Sequence, residues 1–233
     1  MLHVVTWLWR QNGYRSQFES AHVNTLRRMV ARHLSVPHDF ICLTDMPEGL
    51  DPEIRALPMP KVPEITVKPD RPNCFRRLWA FSAEASDVIG PRFLSLDLDV
   101  VITADITPLV CRPDQFVMYG DTARRTTYNG SLLLMTAGSR RQVWDQFKGA
   151  ASYRETQRLG MIGSDQAWIS HVLGPGESVF TRSDGVYSFR NEIARRWPRD
   201  LPTNARIVVF HGKPDPWQAS VQRDFPWIKD HYR

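Results

Sequence analysis

The first forty-odd residues constrain the fold class more than any other part of the chain. Leu2–Trp9 (LHVVTWLW) is an apolar, β-prone run that reads as a buried strand. Gln11-Asn12-Gly13 breaks it. Val23, Leu26, Val30 and Leu34 then recur at three- and four-residue spacing, which predicts a helix from about Phe18 to Leu34. Arg27, Arg28 and Arg32 lie off that stripe, and Pro37 ends it. Phe40–Leu43 reads as a second strand, closed by Thr44-Asp45. A strand–helix–strand unit of this kind pairs its strands in parallel, with a right-handed crossover. The chain therefore opens as an α/β protein.

The rest of the sequence continues the alternation. Pro47, Pro52, Pro58, Pro60, Pro63, Pro69 and Pro72 forbid a long helix or a central strand between them. That stretch is expected to be an extended connection with one edge strand near Ile54–Leu57. A helix is expected from about Cys74 to Val88, stopped by Gly90-Pro91. Phe93–Leu96 is then a strand leading into Asp97-Leu98-Asp99. Gln115–Tyr119, Ser131–Met135 and Ile207–Phe210 read as further strands, and Arg140–Lys148 and Asp165–Leu173 as helices. The tail from Pro214 to Arg233 is rich in Pro and Trp. No repeat or linker divides the 233 residues, so one domain with a mostly parallel sheet is expected. In such sheets ligands sit at the carboxyl ends of the strands.

Four segments there could carry chemistry. In Asp97-Leu98-Asp99 the two carboxylates point to one side of an extended segment. They repel each other unless donors or a hard divalent ion neutralise them. The plain alternative is a strand end whose Asp residues cap a turn. Ile207–Phe210 runs into His211-Gly212-Lys213-Pro214, a candidate ligand, a close-approach glycine and a mobile positive charge suited to phosphate. An imidazole beside carboxylates shifts metal preference from Mg²⁺ toward Mn²⁺. Asn129-Gly130 reads as a tight turn before an apolar strand. Ser164 or Asp165 is placed to cap the helix that follows Gly163.

Composition removes whole classes. The chain is 42% hydrophobic and 24% charged, as globular proteins are. No apolar run approaches the ~20 residues of a membrane helix, and the N-terminus lacks a signal-peptide pattern. Cys42, Cys74 and Cys111 form no CxxC pair, which predicts buried thiols in a reducing cytoplasm. The net charge of +5 suits anionic partners, but no helix-turn-helix, zinc finger or RNP-like motif points to nucleic acid. Among the tryptophans, Trp79 and Trp168 are expected in the core, and Trp197 and Trp217 at a site rim. Arg195-Arg196-Trp197-Pro198-Arg199 could face an anionic acceptor or a membrane surface.

In order along the chain, Arg77-Leu78, Asp97-Leu98-Asp99, Asn129-Gly130, Asp165-Gln166 and His211-Gly212-Lys213-Pro214 with Trp217 resemble the motifs of nucleotide-sugar glycosyltransferases of the GT-A fold. The resemblance is greatest to glycosyltransferase family 8 and its bacterial relatives, and it covers nearly the whole chain. It implies a single GT-A domain, Rossmann-like, with a mixed, mostly parallel central sheet flanked by helices. Residues 1–110 would form a nucleotide-binding half ending in the DxD, and 111–233 a sugar and acceptor half.

The resemblance also implies roles. Asp97, Asp99 and His211 would hold Mn²⁺, with Mg²⁺ as the alternative. Asp97, carried over with Leu98, would otherwise contact the ribose. Gly212 and Lys213 would hold the diphosphate. Arg77, Asn129, Asp165 and Gln166 would face the sugar, with Asp165 or Gln166 beside the anomeric carbon of a retaining reaction. Thr6, Trp7 and the loop to Asn12 would contact the base, usually uracil. The acceptor would be a carbohydrate, a lipid-linked glycan or a protein, reached in the cytoplasm or at the inner face of the membrane. One departure stands out. The family's late motif runs His-x-x-Gly-x-x-Lys-Pro-Trp, whereas here His211 and Gly212 are adjacent and Asp215 precedes Pro216-Trp217. Two other functions share these residues: a haloacid dehalogenase-like phosphatase with Asp97 as nucleophile, and a nucleotide-sugar-binding protein without turnover.

Overall fold

The computed structural model describes residues 1–11, 17–67, 71, 73–123, 125–197 and 200–233. Its main sheet is built from β1 (Leu2–Leu8), β2 (His38–Thr44), β3 (Ile54–Pro58), β4 (Arg92–Leu96), β6 (Phe116–Gly120), β7 (Tyr128–Thr136) and β8 (Ser178–Phe180), in the order β3-β2-β1-β4-β7-β6-β8. A second, three-stranded sheet pairs β5 (Val100–Ile102), β10 (Ile207–Val209) and β9 (Val186–Ser188) in the order β5-β10-β9. The helices are α1 (Ser20–His33), α2 (Ala85–Val88), α3 (Thr107–Val110), α4 (Gln142–Asp145), α5 (Ala150–Arg158), α6 (Asp165–Leu173), α7 (Ala194–Arg196), α8 (Ala219–Asp224) and α9 (Trp227–His231). The fold is α/β, with a mixed, mostly parallel seven-stranded central sheet.

The opening unit forms as expected. β1 and β2 run parallel from Leu2↔His38 to Leu8↔Thr44, and α1 makes the crossover. Strand alternation divides the core. Val4 and Leu8 point to the face covered by Val23, Leu26, Met29 and Val30 of α1. Val5 and Trp7 point to the other face, among Phe75, Leu78, Phe93 and Trp168. β1 is flanked on both sides by parallel partners, β2 and β4, so the strand order reverses there. Such a switch point opens a crevice at the carboxyl ends of the strands. Residues 9–11 and 97–99 leave the sheet into that crevice.

Several expectations change. The Cys74–Val88 helix is a 3-10 segment, Phe75–Phe81, followed by the short α2, because Ser82 turns extended (φ −72°, ψ 163°) and stops the first. Asn129-Gly130 is not a turn. Both residues lie inside β7, where Asn129 pairs with Tyr119 after a register shift between Met118 and Tyr119. The Arg140–Lys148 helix contracts to α4. The tail contains α8 and α9. The edge strand expected near Ile54–Leu57 is β3, parallel to β2. Trp79 and Trp168 are core residues, 5% and 4% exposed. The three cysteines are free, but only Cys42 is fully buried, and Cys111 is exposed. Among the described residues no helix is long and apolar enough to cross a membrane.

Candidate active site

A cleft of about 580 Å³ opens at the switch point. It gathers the sequence-predicted Trp7, Arg77, Asp97, Leu98, Asp99 and Asn129, together with Asp165, Gln166, His211 and Gly212. Two predicted residues do not line it. Thr6 is wholly buried, and its hydroxyl donates to the Leu96 carbonyl at 2.9 Å, tying β1 to β4. Alternation along β1 turns its side chain away from the cleft, while its neighbour Trp7 reaches it. Lys213 is exposed, and its side chain is outside the lining. Asn12, Pro198 and Arg199 lie outside the described residues.

Backbone contacts explain why distant segments meet here. Asp97 N donates to the Ser131 carbonyl at 3.0 Å, which docks the DxD on β7. β10 pairs antiparallel with β5, Val209 opposite Val100, and Phe210 N donates to the Asp99 carbonyl at 3.2 Å. That register carries His211 to the DxD.

At the centre lies a guanidinium between two carboxylates. Arg77 donates through Nη1 to Asp97 Oδ1 and through Nη2 to Asp165 Oδ2, the latter at 2.8 Å, and Nη1 also reaches the Gly130 carbonyl at 3.2 Å. Arg77 and Asp165 side chains are only 11% and 5% exposed. Burial alone would lower the Arg77 pKa, but Asp165 and Asp97 outweigh it and hold the charge firmly. Burial pushes the Asp165 carboxyl up, and Arg77 opposes this. Asp165 begins α6, where the helix dipole also favours a carboxylate. Ser164 does not cap α6 with its own side chain. Its hydroxyl accepts from Cys74 N at 2.8 Å, tying α6 to the start of the Arg77 segment. Cys74 also lines the cleft, but burial raises its thiol to about 12, so it is no nucleophile at neutral pH.

Gly130 makes room for this pair. A Cβ there would lie 2.6 Å from Arg77 Nη2 and 3.2 Å from Asp165 Oδ2. Gly130→Ala is expected to cost about 1–3 kcal/mol by overpacking an ion pair that cannot retreat. A denaturant midpoint equal to that of wild type would refute it.

Among the described residues, Asp99 and His211 differ from Asp97 in ion-pairing with no Arg or Lys. Burial, then the nearby Asp97 and Asp215 charges, pushes the Asp99 carboxyl well above the usual carboxylate range. His211 is held neutral, its pKa lowered by burial and by Arg190. Its Nε2 lies 2.6 Å from Ser188 Oγ, which leaves Nδ1 for a ligand when Nε2 carries the proton. Among the described residues no three His, Cys, Asp or Glu side chains converge as a ready-made metal set. The chemistry of the donors nevertheless fits a dication: crowded carboxylates that gain from a positive charge, and an unprotonated imidazole facing the same cleft.

Trp9 and Gln11 of the loop expected at the base line the cleft, as does Arg195 of the basic segment, whereas sequence reasoning missed Phe18, Arg125 and Arg190. Trp197 and Trp217, expected at the rim, do not. Trp197 packs edge-on against Tyr187, and Trp217 against Phe18 and His22. Arg125 and Arg190 carried no signal in the sequence.

The fold and cleft together define a GT-A-like architecture. The chain is similar to the galactosyltransferase LgtC, solved in complex with donor and acceptor sugar analogues, at TM-score 0.64 and 14% identity, covering 99% of this chain and 96% of that one. It is similar to the glycosyltransferase GlyE of Streptococcus pneumoniae TIGR4 (TM-score 0.62, 14% identity), of which it spans 57%, covering 94% of its own length. It is also similar to the bifunctional glycosyltransferase WbbM (TM-score 0.57, 11% identity), of which it spans 50%. No protein-family description and no curated protein matches the chain by sequence.

Proposed function

We propose that this chain is a retaining glycosyltransferase that moves a sugar from a uridine-diphosphate sugar to an acceptor hydroxyl. The observation that carries the reading is the cleft itself. In a fold shared with LgtC over nearly its whole length, it brings Asp97, Asp99, Asp165, Gln166 and His211 to one crevice. Mn²⁺ held by Asp97, Asp99 and His211, with Mg²⁺ as the alternative, would supply Lewis-acid assistance to the departing diphosphate.

The remaining work falls to the chain's own groups. Trp7, which lines the cleft, would face the base. Arg77 fixes the Asp165 carboxylate toward the sugar, so that negative charge faces the anomeric carbon as it becomes positive. Gln166 is held against β7, its Oε1 3.5 Å from Gly130 N and its Nε2 3.3 Å from Thr126 Oγ1. In the transfer the bond from the anomeric carbon to the diphosphate oxygen breaks and one to the acceptor oxygen forms. The acceptor proton leaves with the diphosphate. The acceptor is a carbohydrate, a lipid-linked glycan or a protein. Free cysteines suit a cytoplasmic location, and the positive charge suits contact with an anionic membrane face. The likeness to LgtC over nearly the whole chain favours this reading over a phosphatase with Asp97 as nucleophile.

Thermal melting tests the donor site. A ligand at about 100 times its Kd adds about 2.7 kcal/mol, or roughly 5–10 °C for a domain of this size. UDP, UDP-glucose or UDP-galactose with Mn²⁺ is expected to give such a rise, and EDTA to remove it. Identical melting with every uridine, guanosine and adenosine diphosphate, with and without metal, would end the proposal.

A further inference from the structure

We propose that in this chain the donor's diphosphate is gripped by Arg190, with Arg125 beside it, and not by Lys213. The inference rests on the nucleotide-diphosphate donor reading above and assigns one of its binding groups.

Lys213 follows the cleft-lining Gly212, yet it is exposed and outside the lining, and its carbonyl is taken up by Arg190. That carbonyl accepts from Arg190 Nη2 at 2.6 Å and from Nε at 3.2 Å. The Arg190 guanidinium lies over Gly212, where φ is +84° and a Cβ would come within 3.1 Å of Nη2 and 3.4 Å of Cζ. Only glycine leaves that space, so the guanidinium borders the backbone surface a phosphate would approach.

Arg190 and Arg125 are exposed at the cleft mouth, but unlike Lys213 both line it, and packing fixes the Arg190 backbone. Arg190 follows β9, which pairs in parallel with β10, Ser188 opposite Val209. Phe189 stacks on Phe210 at 4.1 Å and 15° between ring planes, setting Arg190 and His211 side by side. Ser188 Oγ joins the two segments, accepting from Asn191 N at 3.1 Å while lying 2.6 Å from His211 Nε2. Arg125, on the loop between β6 and β7, lines the same cleft, and both arginines are close enough to act on His211 electrostatically. Among the described residues no carboxylate ion-pairs with either guanidinium. With Nε and one Nη2 hydrogen directed at Lys213, Arg190 keeps the Nη1 hydrogens for an anion. A guanidinium offers phosphate a planar, multi-donor contact where lysine offers a point charge. This supplies the charge that the shortened His211-Gly212-Lys213 spacing leaves out of the cleft.

The test is titration of wild type, Arg190→Gln and Lys213→Ala with UDP and, by ligand-observed NMR, with uridine, both in the diamagnetic Mg²⁺. Arg190→Gln is expected to weaken UDP roughly 10- to 100-fold and uridine less than about 3-fold. Lys213→Ala is expected to change neither by more than about 3-fold. UDP affinity within about 3-fold of wild type in Arg190→Gln, or a larger loss in Lys213→Ala, overturns the assignment. Should Arg190→Gln fail to fold, Arg190→Lys keeps the charge and a donor for the Lys213 carbonyl, and an intermediate UDP loss is expected. Wild type that binds no UDP, GDP or ADP refutes the donor reading itself, a result separable from the others.

Discussion

Arg77→Met is expected to lower stability by about 3–5 kcal/mol, because it leaves two carboxylates facing each other without their shared cation. Asp165 is 5% exposed and Asp97 27%, so water cannot replace the guanidinium at the first and only partly at the second. The deficit has a predictable pH dependence. Without Arg77, burial and the Asp97 charge raise the Asp165 carboxyl against only the Gln166 backbone hydrogen bond. A carboxyl whose folded pKa lies above its unfolded value stabilises the fold below the unfolded value, near 3.8, and that contribution is lost as pH rises through the folded pKa. The variant is therefore closest to wild type near pH 4 and falls behind toward neutrality. Arg77→Met combined with Asp165→Asn is expected to recover part of the loss at pH 7. Equilibrium unfolding in urea at both pH values measures all of this. A loss below about 1 kcal/mol at pH 7, or one independent of pH, would mean that the pair is effectively solvated.

The same triad shows what the sequence could and could not disclose. Arg77, Asp97 and Asp165 were each identifiable from motif order, yet nothing in their spacing places one guanidinium between the two acids. That contact follows from the Cys74–Ser164 hydrogen bond and the close approach at Gly130, both of which are tertiary. β1, α1 and β2 were legible because their periodicity runs over whole elements. β5, β8 and β9, at three residues each, are too short to show a period. Asn129-Gly130 misled because its turn preference is local, while pairing with Tyr119 and Tyr128's place opposite Gly120 hold both residues in β7. Arg190 is one of many arginines in the sequence. What singles it out is the stacking of Phe189 on Phe210, between segments that are neighbours only in the folded chain.

Asp99→Asn is expected to separate stability from activity. In the free protein the Asp99 carboxyl is raised by burial and by the Asp97 and Asp215 charges, so its ionised form opposes folding. As with any carboxyl whose folded pKa is raised, its contribution favours the fold below the unfolded value of about 3.8 and is lost as pH climbs through the folded pKa. The amide keeps the shape and drops the charge. At pH 7 the variant is therefore expected to be at least as stable as wild type in EDTA, and to lack the part of the stability decline that Asp99 causes as pH climbs through its folded pKa. Sugar transfer should move the opposite way. If Asp99 is a carboxylate ligand of the divalent ion, its loss removes several kcal/mol of help to the leaving diphosphate, at least a ~100-fold fall in kcat/KM. The Mn²⁺-dependent part of UDP-induced thermal stabilisation should vanish with it. A role confined to the fold predicts the reverse pairing, with stability lost and the metal dependence of UDP binding kept, so melting curves in EDTA and in Mn²⁺ with UDP decide between the two even before an acceptor is identified.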